Sequence, residues 1–442
     1  MTLPFAVIGA GPMGLCTARQ LKRYGLPFIG FEQHKDVGGL WDIHNPHSTV
    51  YQSAHLISSK KMTEFTEFPM RDDVATYPHH SEMARYFRDY ARNFGLYDAY
   101  EFSTRVLRVV PDGDAWLVTT EKMGFAQTRR FAGVLIANGT LHHPQMPRLP
   151  GQFEGEVLHS AAYKTPAIFR GKRVLVVGCG NSACDIAVDA VHHAEAVGIS
   201  VRRGYHFVPK FVLGRPADSL GKLRLPRPLK QFLDGLLIRA LIGKPSDYGL
   251  PDPDYRLYES HPVVNSLVLH HLGHGDIRPH GDIADTRGRT VTFADGSQGE
   301  YDLILMATGY SLHYPFIDKA LLNWQGAAPQ LYLNCMHPAL DSLFVMGMVE
   351  ASGLGWQGRD EQAEMVALYL RQLRDGAPSA QRLRAHKVVH HADRLDGGYR
   401  YLKLDRMAYY VNKNVYRDAV RRHIRELRDD YRPQPEAAGS AA

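Results

Sequence analysis

Two stretches of the chain repeat one pattern of apolar and polar positions. Phe5-Ala6-Val7-Ile8 is a continuous apolar run of buried-strand length, and Gly9-Ala10-Gly11-Pro12-Met13-Gly14 follows it directly. Leu15 to Tyr24 then takes a helical pattern, Gly25 stands where a helix-ending glycine belongs, and Leu26 to Phe31 reads as a second strand ending at Glu32. The second stretch opens with Val174-Leu175-Val176-Val177 and continues into Gly178-Cys179-Gly180-Asn181-Ser182-Ala183. A helix to about His193, a strand from Ala196 to Val201 and the pair Arg202-Arg203 complete it. Each stretch is a β–turn–α–β unit of about 30 residues.

Two further short apolar runs end alike, Val134 to Gly139 and Leu303 to Tyr310, each followed by a loop that contains proline. They read as the places where the chain crosses between domains. The predicted fold class is therefore α/β, with two nested Rossmann-like domains: one built from residues 1–165 and 300–442, the other inserted as 166–299. Asp295-Gly296 reads as a hairpin turn leading back, and residues 432–442 read as a disordered tail.

Composition narrows the class without changing it. The 442 residues are 44% apolar and 22% charged, which excludes global disorder, collagen and a disulfide scaffold. Four cysteines suit a reducing compartment, and the start MTLPFAVIGAG lacks a leader pattern, so a cytoplasmic location is expected. No apolar run is long enough for a membrane span. A net charge of +6 suits an anionic cofactor better than nucleic acid. The charge concentrates in residues 202–244, which hold Arg202, Arg203, Lys210, Arg215, Lys222, Arg224, Arg227, Lys230, Arg239 and Lys244 against Asp218 and Asp234.

The glycine turns carry the chemistry. In G-x-G-x-x-G the first glycine permits the sharp strand-to-helix turn. The second lets pyrophosphate approach, and the third lets helix and strand pack closely. The pyrophosphate then sits on the helix N-terminus. Gly9, Gly11 and Gly14 meet this pattern, with Glu32 at the end of the second strand. A carboxylate there accepts ribose hydroxyls and repels a 2′-phosphate, so this site takes FAD or NAD. In the second unit Ala183 replaces the third glycine, and Arg202-Arg203 replace the acid, which favours NADPH. Two dinucleotide sites in one chain point to electron transfer from a nicotinamide to a flavin.

The chain resembles the flavin-containing monooxygenase family of class B flavoproteins. The motif Phe153-x-Gly155-x-x-x-His159-x-x-x-Tyr163 lies between the two glycine turns, and Gly38-Gly39-Leu40-Trp41, Gly180-Asn181-Ser182 with Asp185, and Ala307-Thr308-Gly309-Tyr310 add to it. The resemblance spans roughly residues 4–370. It implies an FAD domain (1–165 and 300–442) with an NADPH domain (166–299) inserted. It implies that NADPH reduces FAD, that O₂ adds at flavin C4a, and that the hydroperoxide passes one oxygen to a nitrogen or sulfur of a small organic substrate. It places Gly9, Gly11, Gly14, Glu32, Gly39, Leu40 and Trp41 on FAD, with Gln362 near the flavin ring. It places Gly178, Gly180, Asn181, Ser182, Arg202 and Arg203 on NADPH, and gives His159 and Tyr163 a part in coupling the domains. No side-chain acid or base is nominated.

One position departs from the family pattern: Ile57 stands where the family carries the asparagine that faces flavin and nicotinamide. Ile57 offers no hydrogen bond there, and Ser53, His55 or Ser58 are the candidates to replace it. The rival outcome is an uncoupled NADPH oxidase releasing H₂O₂. Baeyer–Villiger oxidation of ketones is a second, countered by Tyr163-Lys164 closing the motif in place of the Trp-led ending of that branch. A non-catalytic NADP(H) sensor is a third.

Other signals read as structural. Cys179 lies inside the second glycine turn and Cys184 on its helix, rather than after the first turn, which argues for two buried small residues over a redox pair. His270, His271 and His274 lack the company a metal site needs. Leu229, Phe232, Leu233, Leu236, Leu237, Ala240 and Leu241 form a helical stripe expected to pack as a lid on the domain, the alternative with Lys230, Arg239 and Lys244 being a membrane-surface helix. Tyr401 to Arg428 reads as helix, open between a wall of the active site and a homodimer contact.

Overall fold

The computed structural model describes residues 3–220 and 225–432. Five parallel strands form the first sheet in the order Leu343–Val345, Gly133–Ile136, Phe5–Ile8, Phe28–Phe31, Tyr100–Glu101. Five parallel strands form the second in the order Glu156–His159, Leu303–Met306, Arg173–Val177, Ala196–Ser200, Ile277–His280. In each sheet the strand that precedes a glycine turn lies at the centre. Strands join it on both sides, so a crevice opens at its carboxyl end, the place where such sheets bind ligands.

The pairing moves the expected domain borders. Glu156–His159 and Leu303–Met306 both lie in the second sheet, although borders at 165/166 and 299/300 assign them to the first domain. Leu303–Met306 is buried along its whole length between two strands, so its apolar run belongs to the interior of that sheet. The chain leaves the first sheet after Ile136 and the second after Met306. The two crossing segments pair with each other, His143–Pro144 antiparallel to Tyr310–Ser311. Asp295-Gly296 turns between the antiparallel strands Thr290–Phe293 and Gln298–Glu300, with Gly296 at φ 82°.

One face of the first sheet packs on helices Pro12–Arg23, His80–Asn93 and Gly355–Arg374. The other face is covered by Trp116, Val118 and Phe131 of a three-stranded antiparallel sheet spanning residues 105–131. Helix Gly355–Arg374 ties its neighbours through buried acids. Asp360 accepts from Gln20 (2.9 Å), Glu361 accepts from Arg417 (2.9 Å) and Arg421 (2.8 Å), and Glu364 accepts from Tyr24 (2.6 Å).

Two helical expectations change. Helix Arg227–Ile242 turns its stripe outward: Leu229, Phe232, Leu233, Leu236, Leu237 and Leu241 are between 43% and 62% exposed. Its polar side faces the protein instead. Gln231 is buried and donates to the Leu257 carbonyl (2.8 Å), while Lys230 bridges to Asp234, which also takes the Tyr258 hydroxyl. The C-terminal helix begins only at Lys413, because Asn412 caps it with bonds from the amides of Asn414 and Val415. Residues 401–412 precede it with a short 3₁₀ turn at Asp405–Tyr409. Lys222, Arg224 and the tail residues 433–442 lie outside the described residues. Among the described residues no helix is long and apolar enough to cross a membrane.

Burial holds His80, His261 and His337 neutral, each pushed down to about 4. The unfolded chain protonates such groups near their ordinary value of 6.5. Their contribution is therefore complete above 6.5 and drains as the pH falls toward 4. His337 Nδ1 accepts from the amides of Ala339 (3.1 Å) and Leu340 (2.9 Å), so protonation also breaks two bonds. His337→Asn should narrow the gap in melting temperature between about pH 7 and about pH 5, read by calorimetry.

Candidate active site

The first glycine turn is set by close backbone contacts. Gly9 takes φ 108°, and a Cβ there would stand 2.6 Å from the Ala137 carbonyl oxygen. A Cβ on Gly14 would stand 1.8 Å from the Gly9 carbonyl oxygen, so only glycine lets helix Pro12–Arg23 start this close to its strand. Gly11 is the N-cap and offers no capping side chain, and Pro12 follows at the first helical position. The helix start thus keeps its positive end for an anion. Gly39 faces it: a Cβ on Gly39 would lie 2.9 Å from the Gly11 Cα.

Glu32 closes the turn. Its Oε2 accepts from the Ala10 amide (2.7 Å) and its Oε1 from the His34 amide (2.8 Å). Burial pushes its carboxyl up, and those two amides pull it back toward the charged form. Each oxygen keeps lone-pair capacity for a ribose hydroxyl. Gly9, Gly11, Glu32, Gly39, Leu40 and Trp41 all line one cavity of about 1150 Å³. An adjoining helix N-terminus, an acid at the strand end and a cleft of dinucleotide size fit FAD.

Gln362 is placed differently from its expected seat beside the flavin ring. It is fully buried, accepts from the Gly347 amide (2.8 Å) and donates to the Tyr416 hydroxyl (2.6 Å). Its amide is spent inside the core, and Gly347 forms the cavity wall in front of it. Gly14 also acts from behind the wall, through packing.

The second turn repeats the first. Gly178 takes φ 119°, with a Cβ there 2.6 Å from the Ala307 carbonyl oxygen. Gly180 caps helix Asn181–Val191, again with no capping side chain, and a Cβ on it would meet nothing within 4 Å. That open approach to a helix N-terminus fits a pyrophosphate. Asn181 accepts from the Val264 amide (2.7 Å) and so shapes the turn. Arg202 is exposed, while Arg203 lies over the Tyr205 ring at 5.0 Å. Neither has a carboxylate partner among the described residues, which leaves both guanidinium groups free for a 2′-phosphate.

Tyr163 and His159 join the two units. The fully buried Tyr163 donates to Asp189 (2.7 Å) on helix Asn181–Val191, and its ring lies against Tyr51 of the first unit. Ser53 also bonds Asp189, and Tyr51 donates to Asp185 (3.0 Å). His159 Nδ1 accepts from the Ala161 amide (3.0 Å), which puts the proton on Nε2, where it donates to the Gly309 carbonyl (3.0 Å). Burial lowers its pKa, so it stays neutral and pins the end of strand Glu156–His159 to the crossing segment at Gly309.

Ile57 lines the cavity, as do Ser58 and Thr63. Thr63 donates to the Ser59 carbonyl (2.9 Å), so Ser58 donates to Thr63 (2.7 Å). Ser53 and His55 point elsewhere: Ser53 bonds Asp189, and His55 Nδ1 bonds the Ser53 carbonyl (2.8 Å). Of the three candidates to replace the missing asparagine, only Ser58 faces the cleft. Tyr410, from the C-terminal segment read as a possible wall of the active site, lines the cavity and shares a hydrogen bond (3.0 Å) with Ser352, of which sequence patterns gave no sign; His261 lies 3.2 Å from the Tyr410 hydroxyl. Cys179 and Cys184 are buried free thiols. His270, His271 and His274 lie on a short helix, with His271 bonded to Asp276 (2.8 Å).

The chain matches the model of the flavin-binding monooxygenase-like family over residues 4–411. It is 31% identical over 393 residues to flavin-containing monooxygenase 5 of Oryctolagus cuniculus, covering 84% of this chain and 73% of that one. It is 32% identical over 390 residues to dimethylaniline monooxygenase [N-oxide-forming] 2 of Pan troglodytes, covering 83% and 73%. Its fold is similar to that of S-allyl-L-cysteine S-oxygenase from Allium sativum, with a TM-score of 0.67 at 21% identity over 99% of this chain and 90% of that one.

Replacing Arg202 and Arg203 together by alanine should raise the KM for NADPH at least about tenfold while leaving that for NADH within about twofold. Steady-state kinetics with both nucleotides checks this, and equal losses would remove the 2′-phosphate assignment.

Proposed function

The chain belongs to the flavin-binding monooxygenase-like family and is a flavin-dependent monooxygenase that uses FAD and NADPH, and from that premise we propose that it oxygenates a nitrogen or sulfur centre in a small organic molecule. The observation that carries this reading is one continuous cavity of about 1150 Å³. It holds the FAD cradle of Gly9, Gly11 and Glu32, and extends to a wall from the inserted unit (Val208, His261, Val264) and to the start of the C-terminal helix (Asn412 to Val415). FAD, when bound and reduced by NADPH, supplies the oxygen activation. The protein's part is to orient and to exclude water.

Named residues perform that part. The two bare helix starts at Pro12 and Asn181 receive the pyrophosphates. Glu32 takes ribose hydroxyls, and Arg202 with Arg203 take the 2′-phosphate. Leu40, Trp41, Leu56, Ile57 and Trp356 give the cleft an apolar floor that a neutral amine or sulfide can enter. The name of one relative, N-oxide-forming, accords with a nitrogen centre. His159 and Tyr163 hold the two units in register.

The test uses protein purified with its flavin. It is reduced by NADPH without oxygen, then mixed with oxygenated buffer containing thioanisole or N,N-dimethylaniline. Sulfoxide or N-oxide should form, close to one per NADPH consumed. H₂O₂ in place of either product would overturn the reading.

Ile57→Asn restores a hydrogen-bonding amide to the cleft wall beside Ser58. It should raise the yield of oxygenated product per NADPH and lower H₂O₂ correspondingly, since a bond of about 1 kcal/mol or more is returned. An unchanged ratio would place that side chain outside the reacting region.

A further inference from the structure

A stretch of the cavity wall carries more positive charge than the cofactors account for. Arg227, Lys230 and Lys413 all line the chamber. Lys230 is spent: its ammonium lies 2.5 Å from Asp234, whose carboxylate also takes the Tyr258 hydroxyl (2.6 Å). Lys413 and Arg227 have no carboxylate within ion-pair distance among the described residues. Asp218 lines the same chamber: its Oδ2 accepts from the Ser59 amide (2.6 Å), its Oδ1 has no hydrogen-bond partner among the described residues, and its charge supports that of Lys413 without an ion pair.

Lys413 is poorly placed for a lone cation. Burial lowers its pKa, and Arg417 and Lys230 add to that, opposed by Asp218. Its Nζ lies over the backbone of Gly353, 3.0 Å from where a Cβ would stand, on the loop that leads into helix Gly355–Arg374. Lys413 is also the first residue of the 18-residue C-terminal helix, whose positive end opens into the chamber. The Asn412 cap accepts from the amides of Asn414 and Val415, so the Lys413 amide is left to other partners.

Arg227 lines the same chamber, at the segment that packs on the helix start. Its Nη1 stands 3.4 Å from a Cβ position on Gly398, and the Asn412 side chain stands 3.0 Å from one on Gly397. The Gly397-Gly398 step thus lets a guanidinium and the helix start approach from two sides. The outward turn of the leucine stripe on helix Arg227–Ile242 is what aims Arg227 inward. A half-buried ammonium, a guanidinium and a helix N-terminus around one volume cost free energy until a counter-ion arrives.

The cofactors do not supply that counter-ion. Their pyrophosphates belong to the helix starts at Pro12 and Asn181, and the 2′-phosphate to Arg202 and Arg203. Asp218 offsets one of the two positive charges on this wall, and the anion left to meet the other is the substrate's own. We propose that Lys413 and Arg227 form a carboxylate-binding subsite, so that this enzyme's substrate is a small sulfide or amine bearing a carboxylate. The proposal rests on the oxygenation reading above and deepens it.

Equilibrium binding tests the subsite without turnover. Phenylthioacetate and its methyl ester share the sulfur and differ in the charge. Each is titrated into the oxidised, flavin-loaded protein at low salt, and the change in flavin absorbance is followed. The acid should bind about tenfold or more tightly than the ester, and that preference should shrink as salt rises. Lys413→Met should weaken the acid by about tenfold while moving the ester by less than about twofold, and Lys413→Arg should keep most of the affinity for the acid. Arg227→Gln, on an outer helix, gives the same comparison if Lys413→Met fails to fold. Equal binding of acid and ester, or equal loss of both in the variants, would overturn the subsite. Turnover then separates the two readings. Preferential binding of the acid without sulfoxide sinks the oxygenation reading and keeps the subsite. Sulfoxide from both compounds without preference does the reverse.

Discussion

A Cβ on Gly14 would stand 1.8 Å from the Gly9 carbonyl oxygen, and the rest of the site depends on the absence of that one carbon. Backbone that close brings the helix start against the strand end, where its positive end and a bare N-cap meet a pyrophosphate. Gly39 closes in from the other side, where a Cβ on it would stand 2.9 Å from the Gly11 Cα. Larger residues at these positions would push helix from strand and open the cleft that Glu32 completes. The fold has two such turns, and each sits at the centre of its own parallel sheet.

Electron transfer between two nucleotide sites needs the two units held in a fixed relation, and that is the work of the crossing segments and the contacts beside them. The strand pair His143–Pro144 with Tyr310–Ser311 sews the two passages together, and His159 pins the second of them at Gly309. Tyr163, Tyr51 and Ser53 then reach across to Asp185 and Asp189 on the helix behind the second turn. These contacts are polar and buried, so any slip between units strands a carboxylate without its donors. The motif histidine and tyrosine are therefore structural couplers. The histidine is held neutral by burial and has both nitrogens engaged.

The cavity wall shows a different economy. Helix Gly355–Arg374 buries Asp360, Glu361 and Glu364 against the first and last helices, which matches positive charge with negative charge throughout that core. The chamber wall breaks the pattern by leaving Lys413 and Arg227 unmatched among the described residues. An inverted helix, with leucines to the outside and its charged side inward, helps to make that imbalance. Charge left over in a wall that otherwise balances is a statement about what enters.

Much was legible in the chain itself. Glycine turns, strand runs, Glu32 and Arg202-Arg203 are local patterns with one physical reading each, so they fixed two nucleotide sites and their kinds. The Asp295-Gly296 hairpin was legible for the same reason. What stayed hidden depends on partners far apart in sequence. Leu303–Met306 reads as a buried strand, but only pairing with Arg173–Val177 and Glu156–His159 assigns it to the second sheet. Gln362 reads as a ligand-facing residue until Gly347 and Tyr416 are found to consume its amide. The leucine stripe of residues 229–241 has the period of a packed helix, and period cannot say which side faces the protein. Only the structure shows Gln231, Lys230 and Asp234 finding their polar partners inward and the stripe facing out. Lys413 carries no local signature at all. Its meaning comes from the company it lacks, and only the tertiary structure decides a residue's company.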